Sequence, residues 1–248
     1  MMEERIVSRK NPLIQQVRRL LTSKKDRQKE GLFVADGTKL LAEAVKWWDG
    51  LETVILSDGV EADVPAHVRV VRVPGDVMES VSPMETPQGA LFICRLPEQK
   101  EFIPKPGMLL LDGIQDPGNM GTILRTADAL SIPVALLEGC ADPYSHKVVR
   151  ASMGAVFRTP VIQTRWAESA EAFKSAGIPV AVTALSDRAV DIRTANLKEM
   201  AVVIGSEGQG VRKEILENAD AQLIIPMNEN CESLNAAIAA AIVMWQMQ

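Results

Sequence analysis

From Met108 to the C-terminus the chain alternates five short, almost wholly apolar runs with five stretches of helical periodicity, a pattern that few folds accept. The runs cover 108–111, 134–137, 180–183, 201–204 and 223–225, and helices are expected over 122–130, 147–155, 167–176, 213–219 and 233–247. A strand that is apolar on both faces must be covered on both faces, and strands separated by helices pair in parallel. This half therefore predicts a parallel α/β sheet. Ligands of such sheets bind beyond the carboxyl ends of the strands, which directs attention to the loops at 112–121, 138–142, 184–187, 205–210 and 226–235. Aromatic residues make up only 4 % of the chain, so the core must be aliphatic.

Three prolines and a glycine between Leu96 and Gly107 mark a linker, giving an N-terminal domain 1–96, a linker 97–107 and a C-terminal domain 108–248. The first domain reads as a compact α/β module. Asn11-Pro12 opens a helix, with Asn as cap and Pro at the first helical position, and Leu13, Ile14, Val17, Leu20 and Leu21 follow at helical spacing. Leu40, Leu41, Ala44, Val45 and Trp48 mark a second helix, and 33–35, 53–56, 68–73 and 90–94 read as strands.

The net charge of −5 argues against a nucleic-acid partner until its distribution is considered. Residues 1–30 hold nine Lys and Arg against four acids, including Arg18, Arg19, Lys24 and Lys25 around the first helix. Local charge sets the field that a phosphate backbone meets, so RNA contact and a merely solvated basic face both fit. Three scattered cysteines (Cys94, Cys140, Cys231) and two histidines (His67, His146) form neither a disulfide framework nor a metal constellation, and no metal is expected. The longest apolar run, 236–245, falls well short of the ~20 residues of a membrane span. The N-terminus lacks the apolar stretch of a signal peptide, so a cytoplasmic protein is expected.

Three of the strand-end loops carry signatures. They are Asp116-Pro117-Gly118-Asn119-Met120-Gly121-Thr122-Ile123-Leu124-Arg125-Thr126-Ala127, then Ile204-Gly205-Ser206-Glu207-Gly208-Gln209-Gly210-Val211, then Ile225-Pro226-Met227-Asn228 with Glu232-Ser233-Leu234-Asn235-Ala236-Ala237. In this order they resemble the three motifs of the SpoU/TrmH family of RNA ribose 2′-O-methyltransferases. Asn11-Pro12, Gly31-Leu32-Phe33-Val34, Gly37 with Glu43-Ala44, and Thr86-Pro87-Gln88-Gly89 resemble the RNA-binding domain of that family's rRNA-directed members, with Asp36 standing where relatives usually carry Glu. The resemblance implies S-adenosylmethionine as cofactor, rRNA as partner, a homodimer with its site at the subunit interface, and a C-terminal trefoil knot.

By the same resemblance, Arg125, Asn119, Glu207, Ser233 and Asn235 are the catalytic group, and Thr183, Ala184, Gly205, Ile225 and Leu234 hold the cofactor. An arginine that stays protonated is a poor base, so Arg125, expected about one turn into its helix, would bind substrate phosphate and orient the 2′-hydroxyl. Taken alone it could be a surface ion pair; Asn119 could be a helix cap and Ser233 another. Lys147 and Arg150 could contact RNA phosphate or face solvent, His146 is expected to be structural, and Trp47-Trp48 suits core packing better than base stacking. The apolar final helix suggests burial or a dimer face. A tRNA-directed enzyme and a non-catalytic RNA-binding assembly protein are the alternatives. A nicotinamide enzyme is disfavoured because the glycines at 205–210 do not read GxGxxG.

Overall fold

A computed structural model describes residues 4–248 except Pro160, Glu207, Glu229 and Glu232. In chain order the elements are β1 (Glu4–Arg5), α1 (Pro12–Thr22), α2 (Lys24–Glu30), β2 (Leu32–Asp36), α3 (Thr38–Trp47), β3 (Leu51–Ser57), β4 (Arg69–Val73), α4 (Gly75–Val81), β5 (Ala90–Arg95), β6 (Leu109–Asp112), α5 (Pro117–Leu130), β7 (Val134–Leu136), α6 (His146–Ala151), α7 (Ala155–Arg158), β8 (Ile162–Gln163), α8 (Trp166–Ala176), β9 (Val180–Thr183), β10 (Val190–Asp191), β11 (Ala201–Gly205), α9 (Lys213–Asn218), β12 (Ala221–Ile224) and α10 (Ala236–Gln246). They form two units, one of residues up to Glu98 plus Asp142–Arg158, the other of Gln99–Ala141 plus Thr159–Gln248.

The first unit is built on a mixed sheet in the order β1-β4-β3-β5-β2, with β5 antiparallel to both neighbours. Strand alternation gives it two unlike faces. One presents Val34, Ile55, Val71, Leu91 and Ile93 to the apolar stripe of α1 and to Val77, Met78 and Val81 of α4. The other presents Phe33 and Phe92, which meet Trp48, Tyr144 and Phe157 in an aromatic cluster with ring centroids 5.1–6.4 Å apart. Tyr144 and Phe157 come from the segment beyond β7, so the sheet's second face is covered by chain well past the linker.

That segment is a correction to the expected C-terminal helix at 147–155, which is neither continuous nor part of the second sheet's cover. Met153 (φ 50°) and Gly154 (φ 85°) are both left-handed, which ends α6 and restarts the chain as α7. The buried Arg27 fastens α2 to this segment, donating to Asp142 at 2.8 and 2.7 Å and to the Leu20 carbonyl at 2.6 Å.

The second unit contains the expected parallel sheet, in the order β10-β12-β9-β11-β6-β7-β8, the short edge strands β8 and β10 being additions to the five runs. Met108, Leu110, Val180, Val182, Ala201 and Val203 pack on one side against Trp166 and Phe173 of α8 and Ile215 of α9. Phe102, within the proline-rich stretch, meets the Phe173 ring edge-on at 5.5 Å, so that stretch contributes to this core. Toward the other side α5 and α10 pack on each other. Among the described residues no helix is long and apolar enough to cross a membrane.

Candidate functional site

The carboxyl ends of β9, β11 and β12 open into a cleft of about 530 Å³, lined by Thr183, Ala184, Gly205, Ile225 and Leu234, all five residues expected to hold the cofactor, and by Ser233. The register explains the convergence: Ala181 to Thr183 of β9 pair with β12, and Ala201 to Val203 of β11 pair with β9, so three consecutive strands end on one edge. The Ala184 amide donates to the Leu223 carbonyl at 2.9 Å and carries that pairing into the cleft wall.

The loop after β11 folds back on itself. The Ser206 amide donates to the Gly210 carbonyl at 3.2 Å and the Gly210 amide to the Ser206 carbonyl at 2.9 Å. Glycine is obligatory at 205, because a Cβ there would fall 2.1 Å from the Gly210 carbonyl carbon. Gly210 itself has φ 65°, a left-handed turn. Glu207 lies outside the described residues.

The first motif is organised differently from expectation. α5 begins at Pro117, earlier than the expected Thr122, because Asp116 caps it, accepting from the Asn119 amide at 2.8 Å, and proline occupies the first position. Asn119 is thus in the first helical turn rather than before it, and Arg125 lies more than two turns along. Arg125 does not line the cleft. It is exposed beside a groove of about 660 Å³ between α5 and α10, with Thr122, Ile238, Ile242 and Trp245, and makes no hydrogen bond or ion pair among the described residues. That groove is apolar and open: Ile238 is 52 % and Trp245 70 % exposed.

The third motif closes on the first. Asn235, not Ser233, caps α10, accepting from the Ala237 and Ile238 amides at 2.9 and 3.3 Å, and its Nδ2 donates to Asn119 Oδ1 at 2.9 Å. Ser233 stays exposed at the cleft edge.

A second tie, absent from the sequence reading, joins the first motif's strand to the second motif's loop. Asp112, at the end of β6 and 1 % exposed, accepts from Arg212 Nε at 2.6 Å and from its backbone amide at 2.8 Å. The other arm of Arg212 reaches Glu138, just beyond β7, at 2.7 Å. Burial works against the Arg212 charge, yet Glu138 and Asp112 hold the guanidinium above its ordinary value. Burial likewise pushes Glu138 up, but Arg212 and backbone amides, Trp166's among them, outweigh it and hold the carboxyl below its usual range. The signal available beforehand was an aspartate closing the apolar run Met108-Leu109-Leu110-Leu111.

All six basic candidates for RNA contact, Arg18, Arg19, Lys24, Lys25, Lys147 and Arg150, belong to the first unit. Lys147 and Arg150 are exposed on α6, Lys24 and Lys25 on α2, while His146 Nδ1 lies 3.2 Å from the Leu21 carbonyl at the end of α1. Arg19 is paired with Glu30 at 3.3 Å, Arg18 reaches Ser80 Oγ and carbonyl at 3.0 and 3.1 Å, and Arg150 contacts the Met84 sulfur. Part of the N-terminal surplus is internally neutralised, since Arg5 pairs with Asp58 and Arg9 with Asp76. Lys24, Lys25 and Lys147 make no ion pair among the described residues. Trp48 packs into the aromatic cluster, whereas Trp47 is 49 % exposed with the Lys46 ammonium 4.8 Å from its ring centre. No group of three or more metal-ligating side chains forms among the described residues.

Residues 106–245 match the model of the SpoU rRNA methylase family, and residues 11–91 match the MRM3-like substrate-binding domain. A relative from Bacillus subtilis, 23S rRNA (guanosine(2553)-2′-O)-methyltransferase RlmP, is 32 % identical over 248 residues, covering 99 % of each chain. Among solved structures, AdoMet-bound rRNA methyltransferase from Sinorhizobium meliloti superposes with a TM-score of 0.87 at 29 % identity over 98 % of this chain and 97 % of that one. A TrmH-family protein from Porphyromonas gingivalis superposes with a TM-score of 0.85 at 34 % identity over 94 % and 96 %.

Proposed function

Because the chain belongs to the SpoU rRNA methylase family, whose neighbours bind AdoMet, we propose that it methylates a ribose 2′-hydroxyl of 23S rRNA, gripping RNA with the first unit and holding S-adenosylmethionine in the second unit's cleft. The observation that carries this reading is the convergence of Thr183, Ala184, Gly205, Ile225 and Leu234 on one cleft at the carboxyl ends of parallel strands. The cleft fits the cofactor. Ile204, Leu223, Ile225 and Leu234 offer apolar walls for an adenine, strand-end backbone offers polar edges, and the absence of a Cβ at Gly205 keeps the loop pressed against its own strand.

The bound cofactor supplies a methyl group already activated by its sulfonium, so the protein's part is orientation. Asn235 and Asn119 hold the third motif on the first, which keeps the cleft edge in register with α5. The Arg125 guanidinium, which makes no hydrogen bond or ion pair among the described residues, binds a substrate phosphate so that the 2′-hydroxyl is presented in line. The exposed apolar side chains Ile238, Ile242 and Trp245 flanking Arg125 support a homodimer formed through α5 and α10, which would enclose Arg125 at the subunit boundary. A knotted threading of the C-terminal segment is part of the same reading.

The test is transfer of labelled methyl groups to 23S rRNA fragments and to tRNA, with ribose methylation mapped at nucleotide level. Transfer to tRNA alone would move the target; transfer to neither would sink the reading. Arg125→Ala is expected to keep cofactor affinity by calorimetry and to lose about 100-fold or more in single-turnover transfer. Near-normal turnover would remove Arg125 from the reaction.

A further inference from the structure

We propose that Arg212 is a positioning residue for the cofactor, acting through the loop after β11; this rests on the reading of the cleft as the S-adenosylmethionine site. The cleft wall between Gly205 and Val211 is a short noose whose two sides exchange hydrogen bonds between Ser206 and Gly210. A noose held only by its own two bonds can swing as a body. Arg212 is the first residue beyond it and is anchored three times: its amide and Nε on the two oxygens of Asp112, and its terminal nitrogen on Glu138.

The anchors are themselves tied to neighbouring elements. Asp112 pairs in register with Gly205, the residue where the noose begins, so the noose is closed at both ends on adjoining strands. Glu138 accepts from the Trp166 amide at the start of α8 at 3.3 and 3.4 Å. Burial of the Asp112 carboxylate makes this tie hard to exchange for water, because losing the guanidinium would leave a buried anion without its cation. Asp112 also opens the loop that leads to Asn119 on α5. Arg212 therefore sets the noose relative to the first motif, as Asn235 sets the third motif relative to it.

Arg212 does not touch the cofactor in this arrangement. It does not line the cleft, and its fork is already engaged by two carboxylates, so the trio carries a net negative charge that repels the carboxylate of an amino-acid moiety. Positioning and direct contact thus make different predictions for a ligand lacking that moiety.

The test is calorimetric binding of S-adenosylhomocysteine and of 5′-methylthioadenosine, which lacks the amino acid, to the full-length wild type, Arg212→Ala, Arg212→Lys and Glu138→Gln. Kinetics with rRNA fragments and the thermal midpoint of each variant are measured alongside. Binding of S-adenosylhomocysteine by the wild type tests the cleft reading on its own; its absence would fail that reading before Arg212 is in question. Given that binding, Arg212→Ala is expected to weaken both ligands by the same factor, at least about tenfold, and to raise KM for the cofactor more than it lowers kcat. Glu138→Gln, which keeps the Asp112 anchor and leaves no buried charge unpaired, is expected to lose less than Arg212→Ala, and Arg212→Lys to recover part of the loss. RNA affinity should not move. Affinities within twofold of wild type in Arg212→Ala would overturn the proposal. So would a loss confined to S-adenosylhomocysteine, which would mean direct contact, or a loss of RNA affinity in parallel, which would mean general unfolding.

Discussion

Truncating Phe157 to alanine should unfasten the first unit while leaving the second intact, although Phe157 lies some fifty residues beyond the linker. Its side chain is buried and meets Phe33 and Phe92 at 6.2 Å and Trp48 at 5.8 Å. Burial of this kind costs about 3–5 kcal/mol when a phenyl group is removed, and ring pairs carry about 0.5–1.5 kcal/mol each beyond area, so the upper half of that range applies here. A loss near 4 kcal/mol corresponds to about three decades in an opening equilibrium. Hydrogen exchange resolved by segment reads this directly: amides of β2 and β5 that open with the unit should lose about 1,000-fold in protection, and those of β9 and β11 should be unchanged. A loss under tenfold in β2 and β5, or an equal loss in β9 and β11, would refute the assignment of 142–158 to the first unit. The same geometry warns against isolating either half by cutting at residue 97, which would leave Tyr144, Val148, Val149 and Phe157 without the sheet face they cover.

Replacing Lys24, Lys25 and Lys147 with glutamine should flatten the salt dependence of RNA binding by about 0.9 per phosphate contact on duplex, or about 0.7 on single strands, while Arg19→Gln, already paired with Glu30, should change it less. An unchanged slope in the triple variant would make this a solvated face. Tyr144 Oη is buried without a hydrogen-bond partner among the described residues, so Tyr144→Phe should leave the thermal midpoint unchanged or raise it, by up to about 1 kcal/mol of stability; a clear loss would reveal a partner. Asn235→Ala removes the α10 cap and the bond to Asn119, and should cost about 1–2 kcal/mol by denaturant titration together with a fall in transfer; unchanged transfer at lowered stability would leave Asn235 as a cap alone.

What the sequence determined was whatever depends on neighbours along the chain. Apolar runs at 108–111, 180–183 and 201–204 could satisfy their surface only in a doubly covered parallel sheet, and in such a sheet the residues just past each run must share an edge. That places the loops after 183, 204 and 225 along one edge, whereas the choice of Thr183, Gly205 and Ile225 as cofactor contacts within them rests on the resemblance to the SpoU/TrmH family. Cap chemistry was equally local at Asn11-Pro12, but at Asn119 and Ser233 capping was one of two open readings, because Asp116 and Asn235 offer the same chemistry a few residues away and only the backbone path selects between them. The tertiary structure alone decided the rest. Val148 and Val149 announce an apolar helix face, but not which sheet it will cover; the unsatisfied aromatic face of β2 and β5 settles that, and with it the company of Lys147 and Arg150. Nine cations in thirty residues announce a basic surface, but carboxylates as distant as Asp58, Asp76 and Asp142 determine which of them remain to meet a phosphate. Arg212 finds Asp112 across a hundred residues because β11 and β6 lie side by side, a relation that no periodicity records.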